Sequence, residues 1–167
     1  MTDQKTSSKG YRSLVLVLLT VVYGFNFIDR QIVGILAPFI QEDLGLTNTE
    51  LGLLIGLAFA VFYTMVAIPI AWLADRYSRV NILSISLAIW SGFTALTGLA
   101  TNFMQIGMAR MGVGIGEAGG SPPSHSIISD LYPKEERAGA LGVYSMGIPL
   151  GNHLILLVKL DKTYIVD

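Results

Sequence analysis

The sequence holds no cysteine, only two histidines among 167 residues, and little charge: 14% of the chain is Asp, Glu, Lys or Arg. No cysteine means no disulfide framework and no thiol chemistry. Isolated histidines (His125 and His153) offer no metal-ligand spacing. Eleven basic against twelve acidic residues leave a net charge of −1. That balance points to no nucleic acid or anionic surface as partner. Soluble domains carry about 25% charged residues. A chain with so few, and with 52% apolar residues, cannot cover a water-facing globule. The polar stretch Met1 to Gly10 has no small-residue cleavage site, and the apolar block behind it is too long for a signal peptide.

What the chain does have is long apolar blocks. A membrane helix needs about 20 mostly apolar residues, and five stretches qualify. They run from about Ser13 to Ile40 with Pro38 near the end, Thr49 to Ala74, Val80 to Thr101, Phe103 to Leu131, and Glu135 to about Val158. The second is preceded by Thr47-Asn48-Thr49-Glu50, which has capping-box spacing. The expected fold class is an all-α membrane protein with about five transmembrane helices. Gly52-Leu53-Leu54-Ile55-Gly56 reads as a small-residue face for helix packing.

The basic residues set an orientation. Lys5, Lys9 and Arg12 precede the first span, Arg76 and Arg79 follow the second, and Lys134 and Arg137 follow the fourth. The loops after the first and third spans hold no Lys or Arg, and the former carries Glu42 and Asp43. By the positive-inside rule the N-terminus is cytoplasmic. The expected location is therefore a multi-pass position in a plasma membrane or bacterial inner membrane, with lipids as partners.

Four ionisable residues fall inside these spans: Asp29 and Arg30 in the first, Arg110 and Glu117 in the fourth. Near the bilayer centre such charges cost about 2.5–3.5 kcal/mol on insertion scales, and they usually pair and serve function. At about 1.5 Å per residue, Asp29 lies ~24 Å along its helix from the cytoplasm. Arg110 and Glu117 lie ~10 Å and ~21 Å in from the outside on the same scale. Asp29 and Arg110 thus share a depth. Seven residues put Arg110 and Glu117 on one face, making a polar column opposite the first span. The functional reading is a protonation and substrate site, because an arginine that moves changes a desolvated carboxylate's proton affinity. The static alternative is an ion-pair network that joins two helices.

The fourth span turns irregular after Glu117, where Gly119-Gly120-Ser121-Pro122-Pro123 interrupts helical hydrogen bonding. Such backbone at membrane depth implies a surrounding of protein or a water-filled cavity; packing alone is the simpler alternative. Its Gly-x-Gly run follows no strand and is no nucleotide loop. Ser124, His125, Ser126 and Asp130 carry hydrolase residue types, but neighbours on one helix cannot face one another. No enzyme activity and no cofactor are expected.

Three segments carry a family resemblance. Ala71-Trp72-Leu73-Ala74-Asp75-Arg76-Tyr77-Ser78-Arg79-Val80 resembles the G-x-L-x-D-R-x-G-R-R/K loop of the major facilitator superfamily, departing at Ala71, Ser78 and Val80. Arg110 to Ala118 resembles the family's R-x-x-x-G-x-G-x-A segment, and Asp130 to Ala138 its D-x-x-P-x-x-x-R stretch. Asn26-Phe27-Ile28-Asp29-Arg30 and Gly116-Glu117-Ala118 are most similar to the spinster-like branch. The resemblance covers about Tyr11 to Gly151.

It implies alternating access between two six-helix halves, with Asp29, Arg30, Arg110 and Glu117 in the proton-coupling and substrate region. It implies a cytoplasmic gate at Asp75, Arg76, Arg79, Asp130 and Arg137. The implied partners are protons and a small organic or amphiphilic solute, lysolipid-like in some members. Residues 1–12 would be a cytoplasmic arm, 13–151 an incomplete N-terminal half-bundle, and 152–167 an atypical tail. A truncated or frame-shifted reading frame is the expectation for that ending. The competing expectation is a small membrane scaffold or partner protein that transports nothing.

Overall fold

The computed structural model describes the backbone of residues 8–165 and the side chains of residues 8–156. Lys5 and the rest of the first seven residues lie outside it, as do the last two. The described chain is helical, in five stretches joined by short turns. The first is α1, Lys9–Leu44. The second is one continuous run: α2, Asn48–Gly52, a π-helical segment, Leu53–Ala58, and α3, Phe59–Arg76. The third is α4, Arg79–Thr97. The fourth is broken into α5, Phe103–Ala118, and α6, Ser121–Leu131. The fifth is broken into α7, Lys134–Ser145, and α8, Gly147–Ile165. By length and apolar content, the first three stretches can cross a membrane.

Local chemistry explains the ends. Ser8 caps α1 by accepting the Tyr11 N–H. The helix was expected to end near Ile40 after Pro38, yet it runs on to Leu44. Gly45 stops it, in the left-handed region at φ 62°. There the Gly45 N–H donates to Glu42 O and the Leu46 N–H to Gln41 O. This is a Schellman stop, completed by Leu46 packing against Ile40. Thr47 and Glu50 form the expected capping box, with Thr47 N 2.9 Å from Glu50 Oε2 and Glu50 N 3.3 Å from Thr47 Oγ1. Asn102 and Ser78 cap α5 and α4 through the N–H groups of Gln105 and Asn81.

Close packing uses other glycines than expected. Gly52 and Gly56 face open space, so they are not a packing face within this chain. The small residues in contact are on α5 and α8. A Cβ at Gly116 would lie 2.5 Å from Trp90 N on α4. One at Gly147 would meet Thr20 O at 2.7 Å, and one at Gly151 would meet Gly24 O at 2.6 Å. The α4–α5 and α1–α8 pairs can therefore approach backbone to backbone, as membrane helices do at small residues.

Three apolar clusters lie along the bundle. Leu16, Leu19, Leu83, Ile128, Ala140 and Tyr144 form one near the end that carries the basic loops. Phe59, Trp90 and Val113 form the middle cluster, and Leu46, Leu54 and Ile106 the third, at the acidic-loop end. Large apolar side chains such as Val17, Leu18, Val21, Ile68 and Ile85 remain exposed on the outside. In water that belt would drive association; in acyl chains it is the proper surface.

Candidate functional site

Asp29 and Arg30 are consecutive on α1, so their side chains leave the helix about 100° apart. That divergence sends them to two different partners. Asp29 turns toward α4 and α5, where Oδ2 lies 3.5 Å from an Arg110 terminal nitrogen and Oδ1 accepts from Thr94 Oγ1 at 3.1 Å. The 3.5 Å contact is a charge contact rather than a good hydrogen bond. Arg30 turns toward α3 and α5, and its Nε donates to Glu117 Oε2 at 2.7 Å. The Glu117 side chain is fully enclosed, while that of Arg30 is 32% exposed. Of the four, Arg30 is the one with an open side.

Aromatic faces complete the enclosure. The Arg30 guanidinium lies over Tyr63 at 4.7 Å, Phe59 at 5.0 Å and Phe27 at 5.8 Å. Arg110 lies over the same Phe59 ring at 5.1 Å. Phe59 thus serves two cations, each stabilised by the negative face of the ring. Such contacts soften the cost of holding guanidinium groups away from water without fixing their charge partner.

The four charges adjoin a cavity of about 570 Å³ between α1 and α4 at Asp29 and two further cavities. One, of about 330 Å³, has Asp29 and Arg110 among its lining residues and Asp43 and Ile40 toward the acidic-loop end. The other is small and lies on the opposite side of Glu117, beside the α5–α6 break. The break falls at Gly119 and Gly120, and both prolines sit in the first turn of α6. Pro122 and Pro123 therefore start a new helix where missing N–H groups cost nothing.

Known proteins similar to this chain are membrane carriers. Residues 19–158 match the Major Facilitator Superfamily. The chain belongs to the major facilitator superfamily. It is 32% identical over 140 residues to an MFS-type efflux pump of Mycolicibacterium smegmatis, covering 84% of this chain and 33% of that protein. It is 34% identical over 143 residues to a D-galactonate transporter of Escherichia coli, covering 86% and 33%. Among solved structures, it superimposes on a bacterial homologue of the human lysosomal transporter Spinster, in an inward-facing and unoccupied conformation. The TM-score is 0.82 at 48% identity, over 87% of this chain and 30% of that one. The occupied inward-facing form fits with the same score. The chain thus spans about a third of the length of these relatives, in their N-terminal portion, and within the superfamily its likeness is spinster-like. These relatives are transporters rather than enzymes.

The second group of expected residues lies at the basic end of this major facilitator bundle. Arg79 at the start of α4 donates to Asp130 near the end of α6 and reaches back to Ala74 O at 3.4 Å. Arg137 on α7 donates to Ser129 O at 2.7 Å. Arg76 stacks on Trp72 at 3.8 Å. Asp75 is exposed and forms no ion pair among the described residues. So the structure joins Arg79 to Asp130 and leaves Asp75 beside that pair rather than in it.

Sequence reasoning missed several participants. Arg12 entered only as an orienting charge, yet it donates to Leu131 O at 3.4 Å, pairs with Glu136 at 3.6 Å and lies over Tyr132 at 5.4 Å. It ties the start of α1 to the α6–α7 turn. Phe59 and Tyr63, four residues apart on one helix face, were a readable signal for a ring pair beside a charge. Nothing in the sequence pointed to Thr94. The hydrolase-like residues do not assemble: Ser124 bonds Gly120 O, His125 meets Tyr144 edge-on at 5.2 Å, and Asp130 is held by Arg79.

Proposed function

We propose that this chain is the N-terminal half-bundle portion of a proton-coupled, alternating-access transporter of a small organic or amphiphilic solute, with its N-terminus in the cytoplasm. The observation that carries the reading is the pairing of Arg30 with the enclosed Glu117 beside the Asp29–Arg110 pair. A proton on Glu117 removes the charge that holds Arg30. The guanidinium then stays on its aromatic faces, with an open side for an anionic group of the solute. Loss of the proton restores the Glu117 contact and displaces the solute. Proton and anion thus occupy the Arg30–Glu117 pair from opposite sides, which links their movements.

An anionic head fits this scheme, and the similar Escherichia coli protein is a transporter of D-galactonate, a sugar acid. An amphiphile would add contacts to the exposed apolar side chains nearby. Rocking of one half against another needs a second bundle. In the full protein the Arg79–Asp130 pair and Arg12 would brace the cytoplasmic gate, with Asp75, Arg76 and Arg137 around it. The reading is tested by placing Asp29→Asn and Glu117→Gln at the matching positions of a full-length relative. Proton-driven uptake should fall to background in both, with normal membrane insertion. Unchanged pH-driven uptake in Glu117→Gln would refute the coupling role.

A further inference from the structure

The small cavity beside the α5–α6 break has a composition that the ion pairs do not explain. It is lined by Asn26 from α1, Trp90 from α4, Glu117, then Ser121 and Ser124 from α6 and Tyr144 from α7. Glycines at 116 and 120 leave the space open on the α5–α6 side. Two of its lining side chains are buried and each has an atom without a partner: Glu117 Oε1 and Trp90 Nε1. Glu117 is 2% exposed and Trp90 8%. An indole N–H can only donate and a carboxylate oxygen can only accept. A buried atom of either kind without a partner is costly.

One water answers both. It accepts from the indole and donates to the carboxylate, with hydroxyl and amide groups around it for a third bond. About 10 Å³ of the cavity admits a water centre, close to the ~10–15 Å³ that a single water requires. We propose that this cavity is a one-water site that carries protons to and from Glu117 Oε1, with Trp90 Nε1 as the group that positions the water. The inference rests on the proton-site reading of Glu117.

Geometry supports that route. Arg30 occupies Oε2, so the proton must be received on Oε1. On the other side of the cavity, Tyr144 is met edge-on by His125, which lies on the exposed side of α6. In the transfer an O–H bond forms at Oε1 and one O–H bond of the water breaks. The hydroxide left behind is reprotonated by a proton from bulk solvent, which restores the water. The charged groups about Glu117 are Asp29 and Arg30 from α1 and Arg110 from its own helix. Tyr23 of α1, Tyr63 of α3 and Tyr144 of α7 add phenols, and α4 faces the cavity with Ser86, Leu87 and Trp90.

The test uses the whole chain in lipid nanodiscs. Infrared difference spectra across a pH series, with Glu117→Gln for assignment, identify the protonated Glu117 C=O stretch. Trp90→Phe should move that band to higher frequency and slow its hydrogen–deuterium exchange. In the unmodified chain, the ¹⁵N-indole resonance of Trp90 should move with the same pH midpoint, and Glu117→Gln should abolish the movement. Trp72, stacked on Arg76, is the internal control. A Glu117 band that Trp90→Phe leaves unchanged, or a Trp90 resonance indifferent to Glu117, overturns the water site while the proton-site reading stands. If Trp90→Phe fails to fold, the indole measurement decides. No titrating band assignable to Glu117 overturns the proton-site reading and this inference with it.

Discussion

At the scale of single residues, the decisive contrast is between losing a charge and losing a pair. Arg110 is 3% exposed and faces Asp29 across 3.5 Å. Removing one member of such a pair leaves a buried charge without compensation, at a cost of about 3–5 kcal/mol. Removing both leaves polar or apolar groups that a bilayer interior tolerates. Arg110→Leu should therefore lower the unfolding midpoint in detergent markedly, and Asp29→Asn/Arg110→Leu should recover much of the loss. A double-mutant cycle read by thermal unfolding measures the difference; additive losses would show that the two side chains do not interact. Arg30 should behave otherwise. Its open side and three aromatic faces give the cation alternative surroundings when Glu117 changes, so Glu117→Gln should destabilise less than Arg110→Leu.

At the scale of elements, glycine positions separate packing from composition. Gly116 and Gly147 sit where a Cβ would meet neighbouring backbone, while Gly52 and Gly56 face open space. Gly116→Val and Gly147→Val should force α4 from α5 and α8 from α1, each with loss of monodisperse protein on gel filtration. Gly52→Ala should be neutral, or stabilising by up to about 1 kcal/mol in helix propensity. The same positions show what the sequence could reveal. Apolar length placed five helical stretches, and the depth of Asp29 against Arg110 followed from 1.5 Å per residue. Which glycines touch a neighbour did not follow, because that depends on how helices turn about their axes, and the Gly-x-x-x-Gly spacing is silent on rotation. The α1 end was misread for a related reason. The apolar block ends near Ile40, but the helix stops at Gly45, whose left-handed backbone closes the last carbonyls. Arg12 was hidden because its partners, Leu131 O and Glu136, lie over a hundred residues away. The pairing of Arg30 with Glu117 was hidden too, since a residue's neighbour in sequence fixes a 100° divergence but not which helix lies there.

At the scale of the whole molecule, the absence of cysteine turns the proposed orientation into a clean measurement. Every introduced thiol is the only thiol in the chain. The turns around Ser78 and Lys134 belong to the basic end, and those around Asp43 and Asn102 to the acidic end, with Asn48–Arg76 and Arg79–Thr97 between them long and apolar enough to cross a membrane. The excess of Lys and Arg at one end opposes its translocation. Single cysteines at Ser78 and Lys134 should thus be shielded from an impermeant maleimide in intact cells and react after permeabilisation. Cysteines at Asp43 and Asn102 should react from outside without it. Labelling of all four from one side would show that the second, third and fourth stretches do not cross. That outcome matters for function, because the charges of α1 and α5 meet midway between the two sets of turns. In a chain that crosses as proposed, the cavity lined by Asp29 and Arg110 extends toward Asp43 at the acidic end. The four charges then form the barrier between that cavity and the basic end. The 167-residue chain reconstituted alone has no opposing bundle to exchange that barrier from side to side. It should show no saturable, pH-driven solute uptake in liposomes, and uptake of that kind would mean that this portion can alternate without the rest of a transporter.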